Sequence, residues 1–143
     1  MGTVEQATIK QVKIPYRKDG GEGGTDESGA NGLPCKVFLL GGYELGFTTS
    51  DSSYFPADGT KLDYFESGTG TSANNKRIAN LNGSADKWWT RSPRIISTTG
   101  DGFYILSDGG YNYGYVANSL GIRPALVLPF TAKFDKDTKI LKG

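Results

Sequence analysis

Trp88-Trp89-Thr90-Arg91-Ser92-Pro93, then Gly102-Phe103-Tyr104-Ile105-Leu106-Ser107-Asp108-Gly109-Gly110-Tyr111-Asn112-Tyr113-Gly114-Tyr115, then Gly121-Ile122-Arg123-Pro124-Ala125-Leu126: these three blocks decide the fold. Each is short, rich in aromatic and β-branched residues, and bounded by glycine, proline or a charged residue. That pattern predicts strands over Trp88 to Arg91, Gly102 to Leu106, Tyr111 to Val116 and Ala125 to Leu128. Ser107-Asp108-Gly109-Gly110 joins the middle two as a tight hairpin, because Asp-Gly supplies the positive φ such turns need. Adjacent tryptophans on a strand point to opposite faces, so one of Trp88 and Trp89 is expected in the core and the other against a loop or solvent. The second could also serve as a stacking platform for a sugar ring or a partner side chain.

Outward from these blocks the chain stays β-rich. Ile9-Lys10-Gln11-Val12-Lys13-Ile14 reads as a strand ended by Pro15, with Lys10 and Lys13 suited to an edge. Residues 18–33 hold six glycines and five charged residues with almost no apolar side chains, and read as a long flexible loop. Lys36-Val37-Phe38-Leu39-Leu40 is a continuous apolar run, expected to form a central strand covered on both faces. Residues 48–60 have loop chemistry. Leu62, Tyr64 and Phe65 form an apolar knot, and Asn74 to Ala79 reads as helical or irregular. The tail 130–143 reads as a last hairpin turning at Asp135-Lys136-Asp137-Thr138, with Ile140-Leu141 returning. Glycine is 21 of 143 residues, well above its usual share of about 7%. The fold class is therefore α+β and mostly β, with long loops and little helix. Residues 1–33 read as an N-terminal strand with its glycine-rich loop, and residues 34–143 as the main body of one compact domain.

Composition narrows the chemistry. There is no histidine, which removes the commonest acid–base group and metal ligand. The single cysteine, Cys35, cannot close an intrachain disulfide, is a poor nucleophile without histidine, and reads as a plain buried thiol. A fold without disulfides suits synthesis in a reducing cytosol, and is compatible with later residence in a virus particle. Asp51, Asp58, Asp63 and Glu66 are close in sequence but read as solvated loop charges. Asp135-Lys136-Asp137 lacks the glycine and distal glutamate of a calcium loop. The glycine-rich stretch lacks the Gly-Lys-Ser/Thr end that grips phosphate. No catalytic set, metal site or cofactor is expected. Sixteen basic residues against fifteen acidic ones give no electrostatic reason to bind nucleic acid. No apolar run reaches the roughly 18 residues a membrane span needs, and the N-terminus does not read as a secretory signal.

What remains is binding. Tyr111, Tyr113 and Tyr115 share one strand face by period 2, with Tyr104, Asn112 and Asn118 nearby. Tyrosine offers contact area at low entropic cost, and asparagine offers adaptable hydrogen bonds. The same tyrosine face could instead be an ordinary aromatic surface packed on the core. Arg91 and Arg123 each stand one or two residues ahead of a proline. They read with Trp88 and Trp89 as structural anchors, the guanidinium groups bonding backbone carbonyls of neighbouring loops.

The anchor blocks, with Tyr104-Ile105, Ser107-Asp108-Gly109 and the Lys36 to Leu45 run, resemble an uncharacterised domain family of phages and gut-type Gram-positive bacteria. That family is similar to the C-type-lectin-like fold of formylglycine-generating enzymes and of retroelement-diversified phage receptor-binding proteins. The likeness covers roughly residues 34–129. It implies a C-type-lectin-like domain that displays residues 94–120 between its anchors. It further implies a non-enzymatic virion protein (capsid decoration, head fibre or tail), made in the host cytoplasm, that partners other virion proteins and meets a host-surface glycan or protein. A homo-oligomer is compatible with this role. The alternative is a bacterial surface or secreted carbohydrate-binding module. Only about 33 residues precede the Val-Phe-Leu-Leu strand, fewer than in family members. The cysteines or copper ligands of the formylglycine enzymes are missing, so that activity does not carry over.

Overall fold

A computed structural model describes residues 9–47, 55–56, 58–134, 137 and 141–142. Its strands, in chain order, are β1 (Val12–Ile14), β2 (Tyr16–Lys18), β3 (Thr25–Glu27), β4 (Leu33–Cys35), β5 (Val37–Leu39), β6 (Ala79–Leu81), β7 (Ser84–Asp86), β8 (Trp88–Pro93), β9 (Asp101–Ile105), β10 (Tyr111–Tyr115), β11 (Gly121–Ile122), β12 (Pro124–Leu126), β13 (Lys133–Phe134) and β14 (Leu141–Lys142). A 3-10 turn covers Gly29–Asn31, and one short helix, α1, covers Thr71–Asn75. The protein is mostly β with little helix.

One four-stranded sheet, in the order β10-β9-β8-β11, organises the molecule. Its neighbours run antiparallel except β11, which lies parallel to β8. Alternation along the strands sends Trp88, Phe103 and Ile105 inward, where they pack with Leu45, Phe47, Phe55 and Phe65. Phe55 stacks on Phe103 at a centroid distance of 3.8 Å. The hairpin between β9 and β10 closes through Leu106 N to Gly110 O and Gly109 N to Leu106 O. Of its turn residues only Gly109 has positive φ, at 80°. It also has to be glycine for a second reason: a Cβ there would lie 1.9 Å from the Asn74 carbonyl oxygen.

Around this sheet sit five two-stranded ribbons: β1–β4, β2–β3, β5–β12, β6–β7 and β13–β14. Three departures from the sequence reading have physical causes. The glycine-rich stretch is a hairpin, β2–β3, followed by the 3-10 turn. Asp19, Gly20 and Gly23 take positive φ at its tip, and Arg17 bonds Gly21 O and Asp26 across it. Gly21 fits because its missing side chain lets Ser97 O approach, and Glu22 N bonds that same oxygen at 3.1 Å. The apolar run at Val37 is not a central strand. It pairs with β12 alone, and Val37 is exposed. Cys35 is half-buried at the end of β4 rather than fully enclosed. The N-terminal strand is tied to the rest of the chain: β1 pairs with β4, and Lys10 bridges Val127. The tail pairs as β13–β14. Residues 48–54, Asp51 among them, and Asp135, Lys136, Thr138 and Ile140 lie outside the described residues.

Candidate functional site

Strand register aligns one residue from each strand of the four-stranded sheet. Ile122 faces Trp89, Trp89 faces Tyr104, and Tyr104 faces Asn112. This row occupies the face opposite the core, because its neighbours Trp88 and Ile105 are the buried ones. Trp89 and Tyr104 meet edge to face at 5.4 Å, a favourable arrangement of the two ring quadrupoles. Trp89 Nε1 donates to Asn118 O at 3.3 Å, so the loop after β10 folds back against the same surface. The rings pack close to the backbone of neighbouring glycines: a Cβ at Gly102 would lie a tight 3.2 Å from the Val116 side chain and 3.4 Å from the Trp89 ring, and one at Gly114 would meet Tyr104 and the Asn118 amide nitrogen in ordinary contact at 3.5 Å. Val116 and Ile122, 59% and 64% exposed, extend the apolar surface. A cleft of about 230 Å³ opens beside it, lined by Leu39, Trp89, Pro93, Gly102, Val116 and Ile122 among others.

The residues singled out for binding therefore fall on two faces. Tyr104, Asn112 and Asn118 gather on the outer face with Trp89, which sequence grouped with the anchors. Tyr111, Tyr113 and Tyr115 share the inner face, where the row runs out from the core. Tyr111 packs edge-on against Phe47 and Phe55, and is part of the core rather than of a display surface. Tyr113 is 42% exposed and lies between Phe103 and the Arg94 guanidinium, which sits 3.8 Å from its ring centre. Tyr115 is 57% exposed. The segment 94–120 thus supplies half of the core sheet as well as exposed surface.

A polar cluster holds the sheet to the segments around it. Arg91 Nε bonds Pro15 O. Its two terminal nitrogens bond Leu39 O, Asp58 O and both oxygens of Glu44. Glu44 in turn accepts from Gly41 N. Ser92 Oγ donates to Asp58 Oδ2 at 2.6 Å and accepts from Gly42 N. Asp58 is fully buried, not a solvated loop charge. Burial pushes its carboxyl up to about 6, against the opposing pull of the Ser92 hydroxyl and the Arg91 charge. Its Oδ1 has no partner among the described residues. Glu66, which is exposed, is held below the usual range by the Ser72 hydroxyl and then by Lys76.

Sequence reasoning missed Arg77. It is fully buried and donates to Leu45 O, Asn74 Oδ1, Glu66 O and Gly68 O, with its guanidinium 4.0 Å from the Phe47 ring centre. Nothing in Asn74-Asn75-Lys76-Arg77 distinguishes it from a surface cation. Trp88 Nε1 donates to Arg77 O. Arg123 reaches that same oxygen only at 3.5 Å and lies 5.1 Å from the Trp88 ring centre.

No group of three or more metal-ligating side chains occurs among the described residues. No helix of the described residues is long and apolar enough to cross a membrane. No curated protein and no solved structure matches the chain. A family model does match, over residues 1–130, which takes in the four-stranded sheet, its outer aromatic row and the arginine clusters behind it. The chain belongs to the family described as Domain of unknown function (DUF6273).

Proposed function

We propose that this protein is a non-enzymatic structural and binding module of a phage particle, with a C-type-lectin-like arrangement of sheet and loops. It would serve as a capsid decoration, head-fibre or tail protein, made in the host cytoplasm and built into the virion beside other virion proteins. Its outer sheet face would meet a host-surface glycan or protein. One observation carries the binding reading: the row Ile122–Trp89–Tyr104–Asn112 crosses the sheet on the face turned away from the core. Half-buried aromatic rings held by cross-strand packing present contact area that is already ordered, so little side-chain entropy is lost on binding. Asn112 and Asn118 flank the rings with amides able both to donate and to accept. The virion setting and the lectin-like arrangement rest on the resemblance of the anchor blocks.

Tyr104→Ala and Asn112→Ala test the surface together with a control at Ser107 in the distal turn. Binding to host cells and to a panel of host-surface glycans is the readout, with near-ultraviolet circular dichroism confirming the fold. The two row variants are expected to lose about tenfold or more in affinity, and the control none. Unchanged binding by both row variants refutes the outer face as the site. Mass spectrometry of purified particles tests the setting. A chain missing from particles but found on bacterial surfaces would move it to the carbohydrate-binding modules of bacterial envelopes.

A further inference from the structure

Ile122 also lines a second cleft, of about 170 Å³, between the β6–β7 ribbon and the end of the four-stranded sheet. The buried Trp88 closes its floor. Leu81 and Asp86 stand on one wall, Ile122, Arg123 and Pro124 on the other. Register sets Asp86 opposite Ala79, and Ala79 packs against the core, so the Asp86 side chain lies on the inward face of its ribbon. Leu81, two residues beyond Ala79 on the same strand, shares that face. The mouth is open to solvent, since Leu81 is 55% exposed and Ile122 more so.

Arg123 meets this cleft with donors to spare. Its one hydrogen bond runs from Nη1 to Arg77 O at 3.5 Å, and that oxygen already accepts from Trp88 Nε1 at 3.1 Å. Among the described residues no carboxylate pairs with Arg123, nor with the exposed Lys87 at the same rim. The side chain is nonetheless held in place. It is half-buried, its guanidinium lies 5.1 Å from the Trp88 ring centre, and Pro124 narrows the backbone choices of Arg123 itself. A guanidinium fork matches a carboxylate with two parallel hydrogen bonds. One that is already ordered loses little entropy when it binds.

Asp86 restricts which anion fits. Its Oδ1 accepts from the Lys87 backbone N–H at 2.7 Å, and Oδ2 remains to accept from a ligand. A carboxylate only accepts, so the ligand must carry a donor as well as its own negative charge. A phosphate dianion would be repelled by Asp86 more strongly than a monoanion. An ammonium donor would meet the charges of Arg123 and Lys87, which leaves hydroxyl as the fitting donor. The cleft is smaller than the roughly 300 Å³ at which drug-sized sites begin, so it takes one ring. We infer that this cleft binds a hexuronic acid residue. Its carboxylate pairs with Arg123, a ring hydroxyl donates to Asp86, and the C–H surface of the ring lies between Leu81 and Ile122. The site stands whether or not the outer aromatic row binds a ligand of its own.

Titration of the ¹⁵N-labelled chain with glucuronate tests this, read at the Arg123 Nε–H and Trp88 Nε1–H resonances. Both are expected to shift and to saturate at millimolar ligand. Glucose, acetate, glycine and inorganic phosphate each lack one required feature or carry a wrong charge, and should bind about tenfold more weakly or less. Arg123→Gln is expected to abolish the glucuronate shift at Trp88 with circular dichroism unchanged. Asp86→Ala should weaken glucuronate but not acetate. If Arg123→Gln fails to fold, Asp86→Ala alone decides. No shift with glucuronate, equal binding of any of the four comparison ligands, or glucuronate binding that survives the folded variants would each overturn the inference. The monosaccharide titration reads this cleft by itself, so it can fail while the outer face binds, and the reverse.

Discussion

Every N–H of Arg91 has an acceptor inside the protein, five donors for five oxygens. Arg123 reads like it in sequence, since both precede a proline by one or two residues, yet the structure separates them. Arg123 makes one long contact to an oxygen that Trp88 already occupies. Arg123→Ala is therefore expected to cost under about 1 kcal/mol, mostly from lost contact with the Trp88 ring. Arg77→Ala strands the buried Leu45 carbonyl and two part-buried ones, of Glu66 and Gly68, and is expected to cost about 3 kcal/mol. Urea denaturation of both variants checks the order, and equal losses would refute it. Asp58 makes a separate prediction in pH. Its folded value lies above the unfolded one, so its charged form opposes folding. The stability it contributes is full below about pH 4 and is lost as pH rises through about 6. The difference between the unaltered chain and Asp58→Asn should shift by roughly 2–3 kcal/mol between pH 4 and pH 7, with the unaltered chain gaining as pH falls. A flat difference means that Asp58 does not titrate in this window. Neither Asp58 nor Arg77 was legible from sequence, because burial of a charged residue depends on which carbonyls and hydroxyls the fold brings to it.

Strand β10 shows what periodicity reveals and what it leaves open. Period 2 places the three tyrosines on one face, and they do share one. Which face turns inward is decided by β9, where Phe103 and Ile105 alternate with Tyr104. Burial then grades along β10 as it leaves the core. Tyr111→Ala is expected to cost about 3 kcal/mol, as for other large-to-small changes in a core. Tyr115→Ala should cost under about 1 kcal/mol. Thermal melts of the pair measure the gradient, and equal melting temperatures would mean that β10 does not cross from core to surface. The hairpin at Gly109 was legible because its turn chemistry is local. The β2–β3 hairpin was not, since its Gly21 serves a close approach to Ser97 that no local pattern announces. The apolar run at Val37 misled for a related reason. Hydrophobic continuity predicts burial on both faces, but a two-stranded ribbon buries such a strand on only one.

At the scale of the molecule the mostly-β character was plain from short aromatic blocks and abundant glycine. The division into one sheet and five ribbons was not, because ribbon pairing is fixed by contacts distant in sequence. Arg91 joins these pieces: its acceptors lie 33 to 76 residues away along the chain. The ribbons and the sheet should consequently open together. Amides of β1 and of β8 are expected to exchange hydrogen with similar opening free energies in the unaltered chain. In Arg91→Ala the β1 amides should exchange through a lower-energy local opening, while those of β8 stay near the global value. Independent exchange in the unaltered chain would show that Arg91 does not couple them.

Lys10 N lies 2.9 Å from Val127 O, so the segment between these two residues, which holds the whole four-stranded sheet, begins and ends at almost the same point. Such a body can be spliced into a surface turn of an unrelated carrier protein without prying the carrier's flanking strands apart. The graft would hang from its host at the Lys10–Val127 bridge, with the Trp89–Tyr104 surface carried on a cassette that can be moved whole from one scaffold to another.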